Sequence, residues 1–76
     1  MIKINTSNIE TLAKQIKQNE TKSVSFIQKQ GEKIIASCGY IFSNTPDPKI
    51  KDLAIYKLNK AANLPEECGE VFVTIA

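Results

Sequence analysis

KIIASCGYIFS, residues 33–43, is the longest apolar run in the chain. A strand with one solvated face should carry a polar residue at every second position. In this stretch both alternating sets are apolar, so the pattern predicts a central strand that is covered, or nearly covered, on both faces. One set is Ile34, Ala36, Cys38, Tyr40 and Phe42, and the other is Ile35, Ser37, Gly39 and Ile41.

A hairpin is predicted to join this strand to the strand before it, residues 21–30. Gly31 supplies the positive φ that a tight turn needs. A two-residue loop at this turn places Phe26 beside Ile35, whereas a three-residue loop places it beside Ala36. Because a slip of one residue exchanges the two faces of a strand, the sequence leaves open which face of residues 33–43 belongs to the core.

The first helix is predicted over residues 8–19. Ser7 followed three residues later by Glu10 has the form of a capping box, in which each side chain bonds the other residue's backbone amide. Apolar residues then recur at the helical spacing, which predicts a helix that buries one narrow stripe on the sheet. The stripe consists of Ile9, Leu12, Ala13 and Ile16.

The second helix is predicted to begin near Pro48, since the first turn of a helix does not use the amide that proline lacks. Thr45 or Asp47 is the expected cap, and Tyr56 is expected to face away from the core. The apolar arc spans more than half of the circumference, which predicts that this helix is the principal cover of the sheet. The arc consists of Leu53, Ala54, Leu58, Ala61 and Leu64, widened by Ile55 and Ala62.

Two terminal strands complete the predicted order. Residues 1–4, MIKI, form a short first strand, and residues 70–76 form a last strand with Phe72 on the face opposite Val71 and Val73. The order βαββαβ predicts one α+β domain over residues 1–76, a small ferredoxin-like two-layer sandwich with the first and third strands central. If MIKI does not pair, the alternative is αββαβ with a three-stranded antiparallel sheet and two helices.

Composition indicates a soluble cytoplasmic protein. No run approaches the length of a membrane span, and the N-terminal residues lack the pattern of a signal peptide. Cys38 and Cys68 are therefore expected to be packed, reduced thiols. The net charge is +2, and all ten basic residues are lysines scattered along the chain. Lysine does not replace the bidentate arginine fork in nucleic-acid recognition, so these residues predict a solvated surface.

The residue types that carry catalysis do not converge in this sequence, so we expect no enzyme activity. There is no histidine to act as a general base or metal ligand, and Cys38 has no base to activate it. The three glycines form no phosphate-binding loop. Glu66, Glu67 and Glu70 crowd one loop, but a hard-cation site needs more oxygen ligands held more firmly. No cofactor, metal or small-molecule substrate is expected.

A partial resemblance to the RNA-recognition motif rests on three residues. That family shares the βαββαβ order and carries stacking aromatics on its third strand. Gly39, Tyr40 and Ile41 are similar to the middle of its signature, but Cys38 stands at an aromatic position. Ala36 replaces the basic residue and Lys3 replaces the other stacking ring. The chain is therefore not assigned to the family, and single-stranded nucleic-acid binding with Tyr40 stacking is kept as an alternative function.

Protein binding is the function that the sequence favours. Two helices can cover only one face of the sheet, and an apolar open face on a small domain marks a contact surface. The expected contact residues are Tyr40, Ile41, Phe42 and Phe72. The partner is another protein or a second copy of the chain, bound through the open face or the edge of the last strand, with the chain acting as a regulator, adaptor or inhibitor.

Overall fold

The computed structural model describes residues 1–42 and 48–76. These residues form six principal elements and a short 3-10 helix at Glu66–Cys68. In chain order the elements are β1 (Ile2–Lys3), α1 (Ile9–Lys17), β2 (Ser23–Gln30), β3 (Lys33–Ile41), α2 (Pro48–Ala62) and β4 (Glu70–Ile75). The predicted βαββαβ order and small two-layer α+β sandwich are confirmed, as is the start of α2 at Pro48. The two expected caps, Thr45 and Asp47, lie outside the described residues.

The strand order of the sheet is β1-β4-β2-β3, and every neighbouring pair is antiparallel. The prediction that the first and third strands are central is therefore wrong, because β4 and β2 occupy the centre. The short length of β1 gives a physical reason. A strand of two residues offers too few backbone groups to join two neighbours, whereas β4 pairs with β2 along its length from Glu70 to Ile75.

Each helix links two parallel strands that have a third strand between them. The β1-α1-β2 unit encloses β4, and the β3-α2-β4 unit encloses β2. The two helices contact each other and share one face of the sheet, where the buried side chains form a single cluster. The cluster consists of Ile4, Leu12, Ile16, Val24, Phe26, Phe42, Ala54, Leu58, Val71 and Val73.

The hairpin between β2 and β3 follows neither of the two loops considered from the sequence. Gln30 pairs with Lys33 across Gly31 and Glu32, and Gly31 has a φ of 64°. A bulge then leaves Ile35 without a partner, because Ala36 pairs with Gln28 and Ile34 pairs with Lys29. Phe26 consequently lies beside Cys38. The face of β3 that turns toward the helices is the one expected for the three-residue loop, namely the even-numbered residues from 36 to 42.

The start of α1 is held by asparagines, so the predicted capping box of Ser7 and Glu10 is wrong. The Asn5 side-chain oxygen accepts hydrogen bonds from the backbone amides of Ser7 and Asn8, at 2.9 and 3.1 Å. It also accepts one from the Ser7 hydroxyl. Asn8 is the cap residue but makes no side-chain cap bond. An asparagine two residues before Ser7 competes successfully because Asx turns form locally.

The buried stripe of α2 is narrower than predicted. Ala54 and Leu58 are fully buried, but Leu53 is 54% exposed and Leu64, just after the helix, is 38% exposed. The reason is that α2 lies beside α1 and meets the sheet along one line, so only residues spaced by four reach the centre of the core. Tyr56 faces away, as predicted, and its ring lies 5.1 Å from the Lys60 ammonium.

Candidate protein-interaction surface

The sheet face turned away from the helices is called here the open face. Strand alternation and the observed register place its members, since residues paired across strands share a face. Ile41 is 64% exposed there, and Ile34, which pairs with Lys29, is 56% exposed. Ile35, the unpaired residue of the bulge next to Ile34, is 43% exposed. The open face also carries Ile27 and Phe72 among its apolar residues, Ser23, Ser25, Ser37 and Thr74 among its polar residues, and Lys3, Lys29 and Glu70 among its charged residues.

The four predicted contact residues do not lie on one surface. Ile41 and Phe72 are on the open face, but Tyr40 and Phe42 point toward the helices. Phe42 is only 9% exposed, and the Tyr40 ring packs edge-to-face on Phe26 with centroids 6.3 Å apart. The placement of Tyr40 and Phe42 on an open sheet face is therefore wrong. The physical cause is the hairpin register, which sets the even-numbered residues of β3 against the core.

The position of Tyr40 also removes the basis of the nucleic-acid alternative. A stacking platform needs aromatic rings with an exposed face. Among residues 1–42 and 48–76, Phe72 is the only aromatic ring on the open face, and Tyr40 is half-buried on the other face. One ring does not form a platform, and no observation in the described part of the chain favours nucleic acid as a ligand.

Phe72 lies in the charged part of the open face. The Lys29 ammonium is 5.6 Å from the centre of the Phe72 ring, and the Lys3 ammonium forms an ion pair with Glu70 at 3.1 Å. Phe72 pairs with Ile27 and Ile41 pairs with Ser23, so the two predicted contact residues lie four residues apart along β2, about 13 Å. The exposed apolar part of the open face is therefore the β3 side.

The outer edge of β3 presents unpaired backbone groups. The Phe42 amide donates to the Lys22 carbonyl at 2.8 Å, which identifies the even-numbered residues of β3 as the hydrogen-bonded partners of β2. The odd-numbered residues consequently direct their N–H and C=O groups outward. Within the described residues no strand pairs with this edge. Between the bulge and the end of the strand, the outward groups belong to Ser37, Gly39 and Ile41.

A cleft lies next to this edge, between β3 and the C-terminal half of α2. Its volume is about 180 Å³. Ala36 is exposed at the cleft although it lies on the helix face of the sheet. Lys57 is also in the lining, which agrees with the packing of a lysine stem inside the apolar arc of α2. The remaining lining includes Phe26, Gln28, Ser37, Cys38, Lys60, Ala61, Leu64 and Val71.

The thiols and acidic residues form no further cluster in the described ranges. Cys38 and Cys68 are both free thiols, as predicted. No group of three or more cysteine and acidic side chains in residues 1–42 and 48–76 is placed to hold a metal ion. The backbone carbonyl of Glu67 accepts a hydrogen bond from the Gln30 side-chain amide at 2.9 Å.

In the part of the chain that the structure describes, no helix is both long enough and apolar enough to span a membrane. The chain matches no protein-family model, no curated protein and no solved structure. The geometry of β3 is therefore the basis on which a function can be assigned.

Proposed function

We propose that the chain is a non-catalytic protein-interaction module, a cytoplasmic regulator, adaptor or inhibitor, that binds by adding a strand of another polypeptide to the outer edge of β3. One observation carries the proposal. The edge strand Lys33–Ile41 is nine residues long, and its outward backbone groups have no partner among the described residues. An extended segment laid along that edge satisfies those groups, and alternate side chains on the two faces give selectivity.

The proposal is supported by the sparse protection of this edge. Exposed edge strands in natural proteins carry charges, proline or a β-bulge, or remain very short, because an unprotected edge pairs with other chains. The bulge of β3 lies at its hairpin end, at Ile35. Residues 34–42 contain no charged residue and no proline. The opposite edge of the sheet differs, since β1 has only two residues and one of them is Lys3. The longer edge, which is uncharged from residue 34 onward, is therefore the better candidate for the binding edge.

The expected binding energy comes from the backbone and from the exposed isoleucines. Each hydrogen bond to the edge contributes about 0.5–1.5 kcal/mol net. Full burial of an isoleucine contributes about 1.5–3 kcal/mol, so Ile41, which is 64% exposed, would add roughly 1–2 kcal/mol when covered. Ile35 would add somewhat less because it is already more than half covered. These contributions suit a partner strand with apolar side chains on the open face.

The proposal is tested by affinity capture with the immobilised chain and two matched lysine variants. Ile41→Lys places an ammonium inside the proposed contact, whereas Leu53→Lys changes a similarly exposed residue on α2. We expect Ile41→Lys to weaken capture about tenfold or more, because an uncompensated charge would be desolvated. Leu53→Lys should bind like the wild type, and both variants should unfold at the wild-type urea concentration. Equal binding by the two variants would place the contact elsewhere.

A further inference from the structure

We infer that the strand added to β3 is β3 of a second copy, in a two-fold antiparallel pair centred on Cys38. This inference rests on the proposed function, since it names the occupant of the same edge. A two-fold pair through an edge strand continues the sheet from one copy into the other. The two copies would form one eight-stranded sheet in the order β1-β4-β2-β3-β3-β2-β4-β1.

The backbone restricts the registers that such a pair can adopt. Past the bulge at Ile35, the odd-numbered residues of β3 direct their N–H and C=O groups outward, so each hydrogen-bonded pair in that part of the strand must join two odd-numbered residues. Two-fold axes at Ser37, Cys38 or Gly39 satisfy this condition, because each gives pairs of odd-numbered residues, as in an antiparallel ladder. An axis between two residues would join an odd-numbered residue to an even-numbered one and would form no ladder.

The exposed isoleucines select the axis at Cys38. In that register Ser37 of one copy pairs with Gly39 of the other, and Ile41 lies opposite the exposed bulge residue Ile35. The isoleucine pair recurs on both sides of the axis, so four exposed isoleucines become cross-strand neighbours. An axis at Ser37 would instead set Ile41 opposite Lys33 of the second copy. An axis at Gly39 would set Ile41 opposite Ser37.

The helix face gives an independent match in size. An axis at Cys38 places Tyr40 of one copy opposite Ala36 of the other. Ala36 is exposed and borders the cleft beneath α2. A large ring is therefore set next to a small side chain with open space beside it, and the arrangement recurs on the other side of the axis. A different protein strand would match both faces only by coincidence.

Charge also permits a second copy as the occupant. Residues 34–42 are uncharged, so the two-fold pair brings no like charges directly opposite each other, an arrangement that destabilises antiparallel strands. The net charge of +2 per chain is small. A stable interface covers about 800 Å² per partner, and one strand pair on a protomer with 5300 Å² of accessible surface is at the low end. The expected dimer is reversible and concentration-dependent.

Charge-swapped chains test both the occupant and the register. One chain carries Ile35→Glu with Ile41→Glu, and the other carries Ile35→Lys with Ile41→Lys. Each chain alone sets like charges opposite each other at the predicted pairs, and the mixture sets opposite charges there. By sedimentation, we expect the wild type to dimerise and each variant alone to self-associate about tenfold or more weakly. The mixture should form a one-to-one heterodimer. The substituted residues are exposed, and urea unfolding checks that each variant is folded.

Cysteine cross-linking tests the axis itself. In an antiparallel pair that is not hydrogen-bonded, the two Cα atoms are about 4.5 Å apart, within the range of about 4.4–6.8 Å that a disulfide requires. The oxidant diamide would take up the two electrons and two protons that are released when the Cys38 thiols of the two copies form one S–S bond. Cys68→Ser should give a covalent dimer and Cys38→Ser should not. An axis at Ser37 or Gly39 would remove this contact, so the absence of the Cys68→Ser dimer would overturn the register.

The outcomes separate this inference from the proposed function. A wild-type chain that remains a monomer up to millimolar concentration overturns the second copy as occupant. If that monomer still captures a different protein, and Ile41→Lys abolishes the capture, the proposed edge binding stands. A dimer that all charge variants form equally well overturns the pairing through β3.

Discussion

Gly69→Ala should destabilise the fold far more than Gly31→Ala, although both glycines have a positive φ. Gly69 joins the 3-10 helix Glu66–Cys68 to β4 with a φ of 89°, and Gly31 lies in the hairpin with a φ of 64°. A Cβ at Gly69 would overlap the Lys29 carbonyl oxygen and lie 3.0 Å from the carbonyl carbon. A Cβ at Gly31 would meet nothing within 4 Å.

The expected magnitudes differ because only Gly69 combines strain with a clash. At Gly31 the left-handed backbone costs alanine about 1–2 kcal/mol, and the lower entropy of the unfolded chain offsets about 0.4–1 kcal/mol of it. At Gly69 the backbone region alone costs about 1–3 kcal/mol. Relief of the clash would move the start of β4 away from β2, and the hydrogen bonds of Gln28 to the Cys68 carbonyl and of Gln30 to the Glu67 carbonyl would lose about 1 kcal/mol each.

Gly69→Ala should therefore cost about 3–5 kcal/mol, against roughly 1 kcal/mol for Gly31→Ala. A domain of 76 residues has a free energy of unfolding of about 4–11 kcal/mol, so the loss in Gly69→Ala is a large fraction of the total. Urea unfolding followed by far-UV circular dichroism measures both variants. With an m-value of about 1 kcal/mol per M, the midpoints should differ by roughly 2 M or more. Variants of equal stability would show that the Lys29 carbonyl does not approach Gly69 closely.

Two further substitution pairs test the core and the start of α1. Leu58→Ala should lower the free energy of unfolding by about 2–5 kcal/mol, because Leu58 is fully buried. Leu53→Ala, at an exposed site, should change it by less than about 0.5 kcal/mol. Comparable urea midpoints for the two variants would contradict the observed orientation of α2. Asn5→Ala should lower the free energy of unfolding by about 1 kcal/mol, because it removes the oxygen that accepts hydrogen bonds from two backbone amides. Ser7→Ala should lower it by less. A larger effect of Ser7→Ala would show that Ser7 caps the helix after all.

The local elements of the fold were predictable because each has a clear hydrophobic period. Leu12 and Ile16 recur at helical spacing and are buried, and Val71 and Val73 alternate as a strand requires and are buried. Pro48 marks the start of α2 because its ring suits the first turn. Period, turn residues and proline act over a few residues, so the sequence displays them directly.

The strand order was not predictable from the same patterns. Apolar residues on both faces of β3 are equally expected of a central strand and of an edge strand whose outer face binds a partner. The length of β1 was the available signal, since a two-residue strand is a poor central strand. The sequence also does not show the bulge at Ile35, because the bulge depends on how the loop at Gly31 and Glu32 closes against β2.

The hairpin register divides the apolar residues of β3 between the core and the exposed face of the sheet. Even-numbered residues such as Phe42 are apolar because they fill the core. Ile35 and Ile41 have no such requirement, because both are exposed in the described part of the chain, yet they are apolar as well. A solvated edge strand would carry threonine, lysine or glutamate at those positions. The core therefore explains one apolar set, and the partner strand proposed for the edge explains the other, so substitutions at even positions should disturb folding and those at odd positions should disturb binding.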